Sequence, residues 1–446
     1  MPRKIARRLC LLLLGVVPMI SPAADPFYES SGGETPPPPA SELRWWKGNL
    51  HTHTLWSDGE EYPEMIVDWY KRNGYQFLAL SDHNVFAESE NFWIELARRP
   101  AAAHHFPGYL ARFGKDWVET DAADDASTFS RVRLKPLHEF RALFEEPGRF
   151  LLINSEEITD RSGTGKSVHM NAHNLNEVIP PQGGATVRET IQNNLNAVKS
   201  QSERTGRDIL PHLNHPNWEW GVTAEDLAYV TDERFFEVFN GVLGVHNEGD
   251  ELHADTDRIW DIINTIRIAE LNAPPIFGLA VDDAHHYHDT AFHNHLPGRG
   301  WIFVRSRYLT PEHIIRALRA GDFYASSGVT LRDFQFDGET YQLEIEPEEG
   351  VTYVTEFFGT RQGFDPASEP VFDAAGVELT HRYSPDVGEV LQRSEGTRAS
   401  YRLTGDELYV RARVTASVPI KYPYSDPPAP RRAWTQPVQP PARPAN

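Results

Sequence analysis

From about residue 45 to residue 330, short apolar clusters alternate with amphipathic stretches. Phe77-Leu78-Ala79-Leu80, Phe150-Leu151-Leu152-Ile153 and Ile276-Phe277-Gly278-Leu279-Ala280-Val281 are continuous apolar runs of strand length, the pattern of buried strands. Helix punctuation lies between them. Residues 63–73 open on Pro63 and stop before Gly74, and Thr186 with Glu189 forms a capping box for a helix running towards Gly206. Thr310-Pro311 opens another helix that ends at Gly321. Strand and helix patterns alternating over this length predict a parallel α/β fold, and the length suits a barrel.

After residue 330 the period changes to two. Leu331-Arg332-Asp333-Phe334-Gln335-Phe336, Tyr341-Gln342-Leu343-Glu344-Ile345 and residues 408–414 alternate as strands, predicting a small antiparallel, sandwich-like β domain over 331–424. The proline-rich end, 425–446, reads as a disordered tail, and residues 25–44, with four consecutive prolines at 36–39, read as a linker. Ahead of that linker, Arg3, Lys4, Arg7 and Arg8 precede an apolar run at 9–20, and Ser21-Pro22-Ala23-Ala24 supplies small residues for cleavage. This is the pattern of an export signal over 1–24, predicting a periplasmic or secreted protein. The apolar run is short for a bilayer, and no later segment is apolar enough to span one.

Composition then removes several chemistries. The chain has 446 residues, with 40% apolar and 11% aromatic side chains, enough for a large core and a smaller one. Cys10 is its only cysteine, which excludes a thiolate zinc site or cysteine nucleophile from the folded part. A formal charge of −21 with no basic stripe argues against a nucleic-acid surface. No Gly-x-Ser-x-Gly elbow is present, which argues against a serine esterase. Gly163-Thr164-Gly165-Lys166-Ser167 imitates a phosphate loop, but Asp160 stands where its first glycine is needed.

The polar residues at the end of each apolar run carry the strongest signal. His51-Thr52-His53 and Asp58-Gly59 come after Leu50, and Ser81-Asp82-His83-Asn84 after Leu80. Glu156-Glu157 comes after the run at 150–153, His212 and His215-Pro216-Asn217 after Leu210, and Asp283-Ala284-His285 after Val281. Taken singly, each has a plain reading as a turn, a solvated strand end or a His-rich loop. Five in order are expected to converge on the rim where parallel strands end. Residues two apart, such as His51 and His53 or Asp283 and His285, project to one side of a strand. Imidazoles mixed with carboxylates suit Zn²⁺, Mn²⁺ or Fe²⁺ better than Ca²⁺ or Mg²⁺, and so many donors imply two or three ions.

In this order, with His169 added, the residues resemble the PHP (polymerase and histidinol phosphatase) superfamily. The similarity is greatest to its carbaryl hydrolase-like metallohydrolase branch, and it covers roughly residues 45–330. Residues 300–304 and 321–328 also resemble that branch's final strand and helix. The resemblance implies a distorted, seven-stranded β/α barrel (TIM-like) with metal ligands His51, His53, Asp58, His83, Glu157, His169, His215, Asp283 and His285. Glu157 would bridge two ions, with Glu156 its rival, and His169 rests most heavily on the resemblance, since residues 167–171 carry little signal by themselves. Asp82, His212 and His286 are candidates for supporting or proton-transfer roles. The implied reaction is hydrolysis by metal-activated water of a small-molecule ester, most simply a phosphate mono- or diester. A carboxylester or carbamate hydrolase is the alternative, and a non-catalytic binding protein with a relic metal site is the alternative of another class. Arg299, Arg161 and Lys166 are potential anion contacts, and Trp218 and Trp220 potential pocket walls.

Overall fold

The computed structural model describes residues 42–121, 130–288, 291 and 293–441. The segments expected to form an export signal and most of the expected linker therefore lie outside the described residues. Thirteen strands form one continuous sheet. Its first half holds β1 (Arg44–Asn49), β2 (Phe77–Leu80), β5 (Leu151–Arg161), β6 (Ser167–His173), β7 (Leu210–Leu213), β8 (Phe235–Asn240) and β9 (Phe277–Val281) in that spatial order. The short pair β3 (Trp93–Glu95) and β4 (Arg131–Arg133) stands apart from it.

β1–β2–β5 and β7–β8–β9 pair in parallel, as the alternating pattern predicts. β6 breaks that rule, running antiparallel to both neighbours. The reason is local: Ser162 to Lys166 form the hairpin turn between β5 and β6, where Gly165 takes φ +84°, the Ser162 N–H donates to the Lys166 carbonyl and the Lys166 N–H to the Ser162 hydroxyl. The segment that imitates a phosphate loop is therefore a β-turn. Beyond β9 the chain meets β1 again. The Asp283 N–H donates to the His51 carbonyl and the His53 N–H to the Ala284 carbonyl, making a parallel bridge between Thr52 and Ala284.

Helices α1 (Pro63–Arg72), α2 (Pro100–Phe113), α3 (Leu137–Phe144), α4 (Val187–Thr205), α5 (Ala224–Ala228), α6 (Thr256–Ala269) and α7 (Pro311–Arg319) punctuate the strands. Thr186 caps α4 by accepting the Glu189 N–H, and Gly206 closes it in the left-handed region. The Glu189 carboxylate reaches the Ala185 N–H instead of completing a reciprocal box. Among the described residues, no helix is long and apolar enough to cross a membrane.

The remaining strands are β10 (Trp301–Ser306), β11 (Phe323–Ser326), β12 (Leu331–Phe336), β13 (Thr340–Ile345), β14 (Tyr353–Arg361), β15 (Ser368–Phe372), β16 (Glu378–Tyr383), β17 (Glu389–Glu395), β18 (Arg398–Arg402), β19 (Glu407–Pro419) and β20 (Pro430–Thr435). β12–β13–β18 form a separate three-stranded sheet. It shares a core with β14 and β19 through Phe334, Tyr341, Leu343, Phe357, Val410 and Val414, which is sandwich-like packing. The expected boundary at 330 is not a break in the sheet. β20 pairs with β11 on one side and β19 on the other, so it joins the two halves. The proline-rich end is thus ordered through residue 441, against the expectation of a disordered tail. Trp434 is why. Its ring is buried against Phe239, and its Nε1–H donates to Asp257 on α6.

Candidate metal centre

Strand alternation decides which side chains face the rim. On β5, Glu156 and Glu157 point to opposite sides. Glu156 accepts the Ile179 N–H and is pushed up to about 8 by burial, away from the histidines. Glu157 stands at the centre of them. Its Oε2 lies 3.3 Å from His51 Nε2, 3.3 Å from His53 Nε2 and 2.9 Å from His83 Nδ1. Its Oε1 lies 3.0 Å from His169 Nδ1, 3.5 Å from His215 Nε2 and 2.8 Å from Asn214 Nδ2, which donates to it. Just beyond β9, Asp282 enters a structural pocket, where it accepts from Tyr70 and two main-chain N–H groups, and Asp283 turns into the cluster.

Asp283 Oδ1 lies 3.0 Å from His53 Nε2 and 3.3 Å from His51 Nε2, and Oδ2 lies 3.9 Å from His215 Nε2. Asp283 takes φ +51°, a left-handed backbone uncommon for a residue with a Cβ, and the bridge to β1 holds it there. At the open side, Asp58 approaches His53, His83 and His285, each at 3.5 Å. All nine residues named by the resemblance are therefore brought to one place. Three donor groups recur within it: His53, Asp58, His83 and His285; His51, His53 and Asp283; and His51, Glu157 and His215.

The support beneath this cluster includes residues that sequence reasoning missed. Glu237 on β8 is fully buried and accepts from His51 Nδ1 at 2.7 Å, from His212 Nε2 at 3.1 Å and from the His215 N–H at 2.8 Å. A proton on His51 Nδ1 leaves the Nε2 lone pair facing the carboxylates, which is the tautomer a cation needs. His212 continues the chain to His173 at 3.0 Å and thence to Ser155 at 2.9 Å, so it buttresses Glu237 and does not reach the open side. Asn240 donates to both Glu237 and Asp283. A charge inside Phe235-Phe236-Glu237-Val238-Phe239-Asn240 was the available signal, the same apolar run with a polar break seen elsewhere.

Asp82 points away from the cluster. Its oxygens accept from the Thr54 N–H and hydroxyl and from the Ser57 N–H and hydroxyl, which ties down the loop carrying Asp58. His286 lies at the rim, where its Nδ1 accepts the His295 N–H, outside the donor groups. Arg299 is buried and spends its guanidinium on the carbonyls of Gly241, Asn294 and Tyr422, a structural role in place of an anion contact. Arg161 pairs with Glu219, and Lys166 donates to the Trp220 carbonyl. Trp218 flanks His215 at 6.0 Å between ring centres, whereas Trp220 is sandwiched between His246 and His253.

Buried charge of both signs is concentrated here. Burial opposes ionisation of Glu157 and Asp283, yet the surrounding imidazoles hold both well below the usual carboxylate range. Burial and the neighbouring His285 push His53 down to about 4, while His83, despite burial, is raised to about 11 by Glu157 and Asp58. Glu157 Oε2 is buried and accepts no well-aligned hydrogen bond, because His83 Nδ1 is directed at the Thr159 hydroxyl. An orphaned carboxylate oxygen encircled by imidazole nitrogens fits a divalent cation: its charge would satisfy both kinds of lone pair at once.

No family model matches the chain, and no curated protein matches it. Solved structures do. One is a two-domain protein containing a predicted PHP-like metal-dependent phosphoesterase from Bacteroides vulgatus, 15% identical, covering 85% of this chain and 93% of that one with a TM-score of 0.38. Another is a candidate metal-dependent phosphoesterase from Bifidobacterium adolescentis, also 15% identical, covering 54% of this chain and 87% of that one with a TM-score of 0.26. At these values the chemistry of the site rests on its own geometry.

Proposed function

We propose that the chain is a metal-dependent phosphoesterase acting on phosphate mono- or diesters at the Glu157-centred cluster. The carrying observation is Glu157 itself: a buried carboxylate whose unpartnered oxygen faces His51, His53 and His83 while the other faces His169 and His215. That arrangement supports a bridge between ions, and the three donor groups support two or three ions of the Mn²⁺, Zn²⁺ or Fe²⁺ class. Such ions lower the pKa of a bound water to about 7 and neutralise charge on a phosphoryl group.

The chain's own residues set the stage. Glu237 and Asn214 orient His51 and Glu157, and Asp82 fixes the loop that brings Asp58 to the open side. Asp58, Glu157 and Asp283 face the cluster and Glu237 backs it, so two divalent ions would balance these four carboxylates and a third would turn the site positive. A positive, partly enclosed site favours an anionic phosphoryl group over a neutral ester. The order of motifs supports membership of the PHP superfamily, in its carbaryl hydrolase-like branch. The Thr52–Ala284 bridge supports reading the first seven strands of the sheet as a distorted barrel. The basic, apolar and small-residue pattern of residues 1–24 supports export.

A panel of nitrophenyl phosphates, a bis-nitrophenyl phosphate and nitrophenyl acetate, assayed with Mn²⁺ or Zn²⁺, tests the proposal. Turnover of a phosphate ester, abolished by chelation and reduced at least about 100-fold in His51→Ala, is the expected result. Turnover of the acetate alone would overturn it.

A further inference from the structure

Three segments meet a short distance beyond the cluster. Glu61 lies three residues past Asp58 and is buried; its Oε1 accepts the Tyr62 N–H, leaving Oε2 to face two imidazoles. His288, three residues past His285, presents Nε2 in close contact with that oxygen. His105 on α2 presents Nδ1 4.0 Å from it. The two rings stack with centres 4.2 Å apart and planes 22° apart, so both edges aim at one carboxylate oxygen. One donor atom from each of the three residues lies within 4.8 Å of the others.

From this convergence we infer a separate transition-metal site, formed by Glu61, His105 and His288 and suited to Zn²⁺. Two imidazole nitrogens and one carboxylate oxygen form a donor set that this ion accepts with a position left open, at bonds of about 2.0–2.2 Å. An ion pair between Glu61 and His288 alone accounts for only one of the two imidazoles whose edges face Glu61 Oε2, whereas an ion held by all three residues accounts for both.

The position gives the site a consequence. Asp58 and His285 sit on the two loops that supply Glu61 and His288, and those loops are already joined by the Glu60 N–H donating to the His285 carbonyl. α2 is held to the first of them by Tyr62, which stacks on Tyr109 at 4.1 Å and donates its hydroxyl to the Ala102 carbonyl. Zn²⁺ at this point clamps α2 to both loops at the mouth of the main cluster. The inference does not depend on the proposed phosphoesterase activity.

The test is elemental analysis of the full-length protein after chelation, dialysis and reconstitution with Zn²⁺. His105→Ala and His288→Gln are each expected to bind one equivalent fewer than the wild type while melting at the wild-type temperature in excess chelator. In a His51→Ala, Asp283→Asn background, which disables the His51 donor groups, zinc content is expected to fall by one further equivalent when His105→Ala is added. Zinc content unchanged by both single variants would overturn the inference and leave the main cluster standing. No zinc in the doubly substituted background would do the same. A wild type holding one ion that only His105→Ala removes would instead sink the main cluster. Should His105→Ala fail to fold, the half-exposed His288→Gln decides.

Discussion

Glu237 puts a charge into a run of phenylalanines, and β8 buries it completely beneath His51. Its value lies in fixing one tautomer, since a carboxylate accepting the Nδ1 proton obliges Nε2 to face the cluster. Glu237→Gln keeps the shape but lets the amide present a donor to His51 or His212. Metal affinity is expected to fall about 10–100-fold, as measured by competition with a chromogenic chelator. An unchanged affinity would show that His51 is held by its packing alone. Glu233, at the entry to the same strand, carries a pH-dependent liability. Burial raises it to about 8, and one of its oxygens has no partner. A folded-state pKa above the ordinary 4.5 means the folded form prefers the proton. Its contribution is therefore intact below pH 4.5, declines as pH rises, and is fully lost above pH 8. Glu233→Gln mimics the protonated acid and is expected to stabilise the protein at pH 8.5 by on the order of 1–3 kcal/mol and to leave it nearly unchanged at pH 5. Urea melts at the two pH values check this. Equal effects at both would mean that Glu233 does not titrate in this range.

Among the strands and helices, β20 has the most to explain. Pro430 at its start and the prolines around it supply no N–H for pairing, yet the strand sits between β11 and β19. Its attachment comes from side chains. Trp434 is buried against Phe239, and Gln436 exchanges two hydrogen bonds with the Gly278 main chain on β9. Nearby, Arg411 on β19 is buried and pairs with Asp257 and Asp261 on α6, where Tyr409 and Arg413 also reach. This network is satisfied on nearly every side, so breaking one member leaves uncompensated charge. Trp434→Ala is expected to cost about 3–5 kcal/mol, read as a shift in denaturant midpoint. A loss under about 1 kcal/mol would mean that β20 is accessory to the sheet. Capping signals show the opposite behaviour. Thr186, Gly206 and Thr310 act where the sequence pattern predicts, because a cap is made by neighbours in the chain.

For the molecule as a whole, the cluster gathers loops from the ends of β1, β2, β7 and β9 with residues on β5 and β6. Cations bound only by the folded arrangement stabilise it by mass action, about 2.7 kcal/mol when present at 100 times the dissociation constant. Chelation is accordingly expected to lower the melting temperature by several degrees, with recovery on adding Mn²⁺ or Zn²⁺. Scanning fluorimetry would show it, and a melting curve indifferent to chelator would remove the cations from the stability of the fold.

The chain alone determined which strand ends carry imidazole and carboxylate side chains. Each motif, such as His51-Thr52-His53 or Asp283-Ala284-His285, is a local event: an apolar run succeeded at once by polar donors. The helices at 63–72, 187–205 and 311–319 were legible for the same reason, since period and punctuation act within a few residues. Only the tertiary structure decided between Glu156 and Glu157, made Glu237 the partner of His51 and drew the proline-rich end into the sheet. In a strand, neighbouring side chains differ only in which face they take, and pairing register chooses that face. Register depends on strands far away in sequence, so no window along the chain contains it.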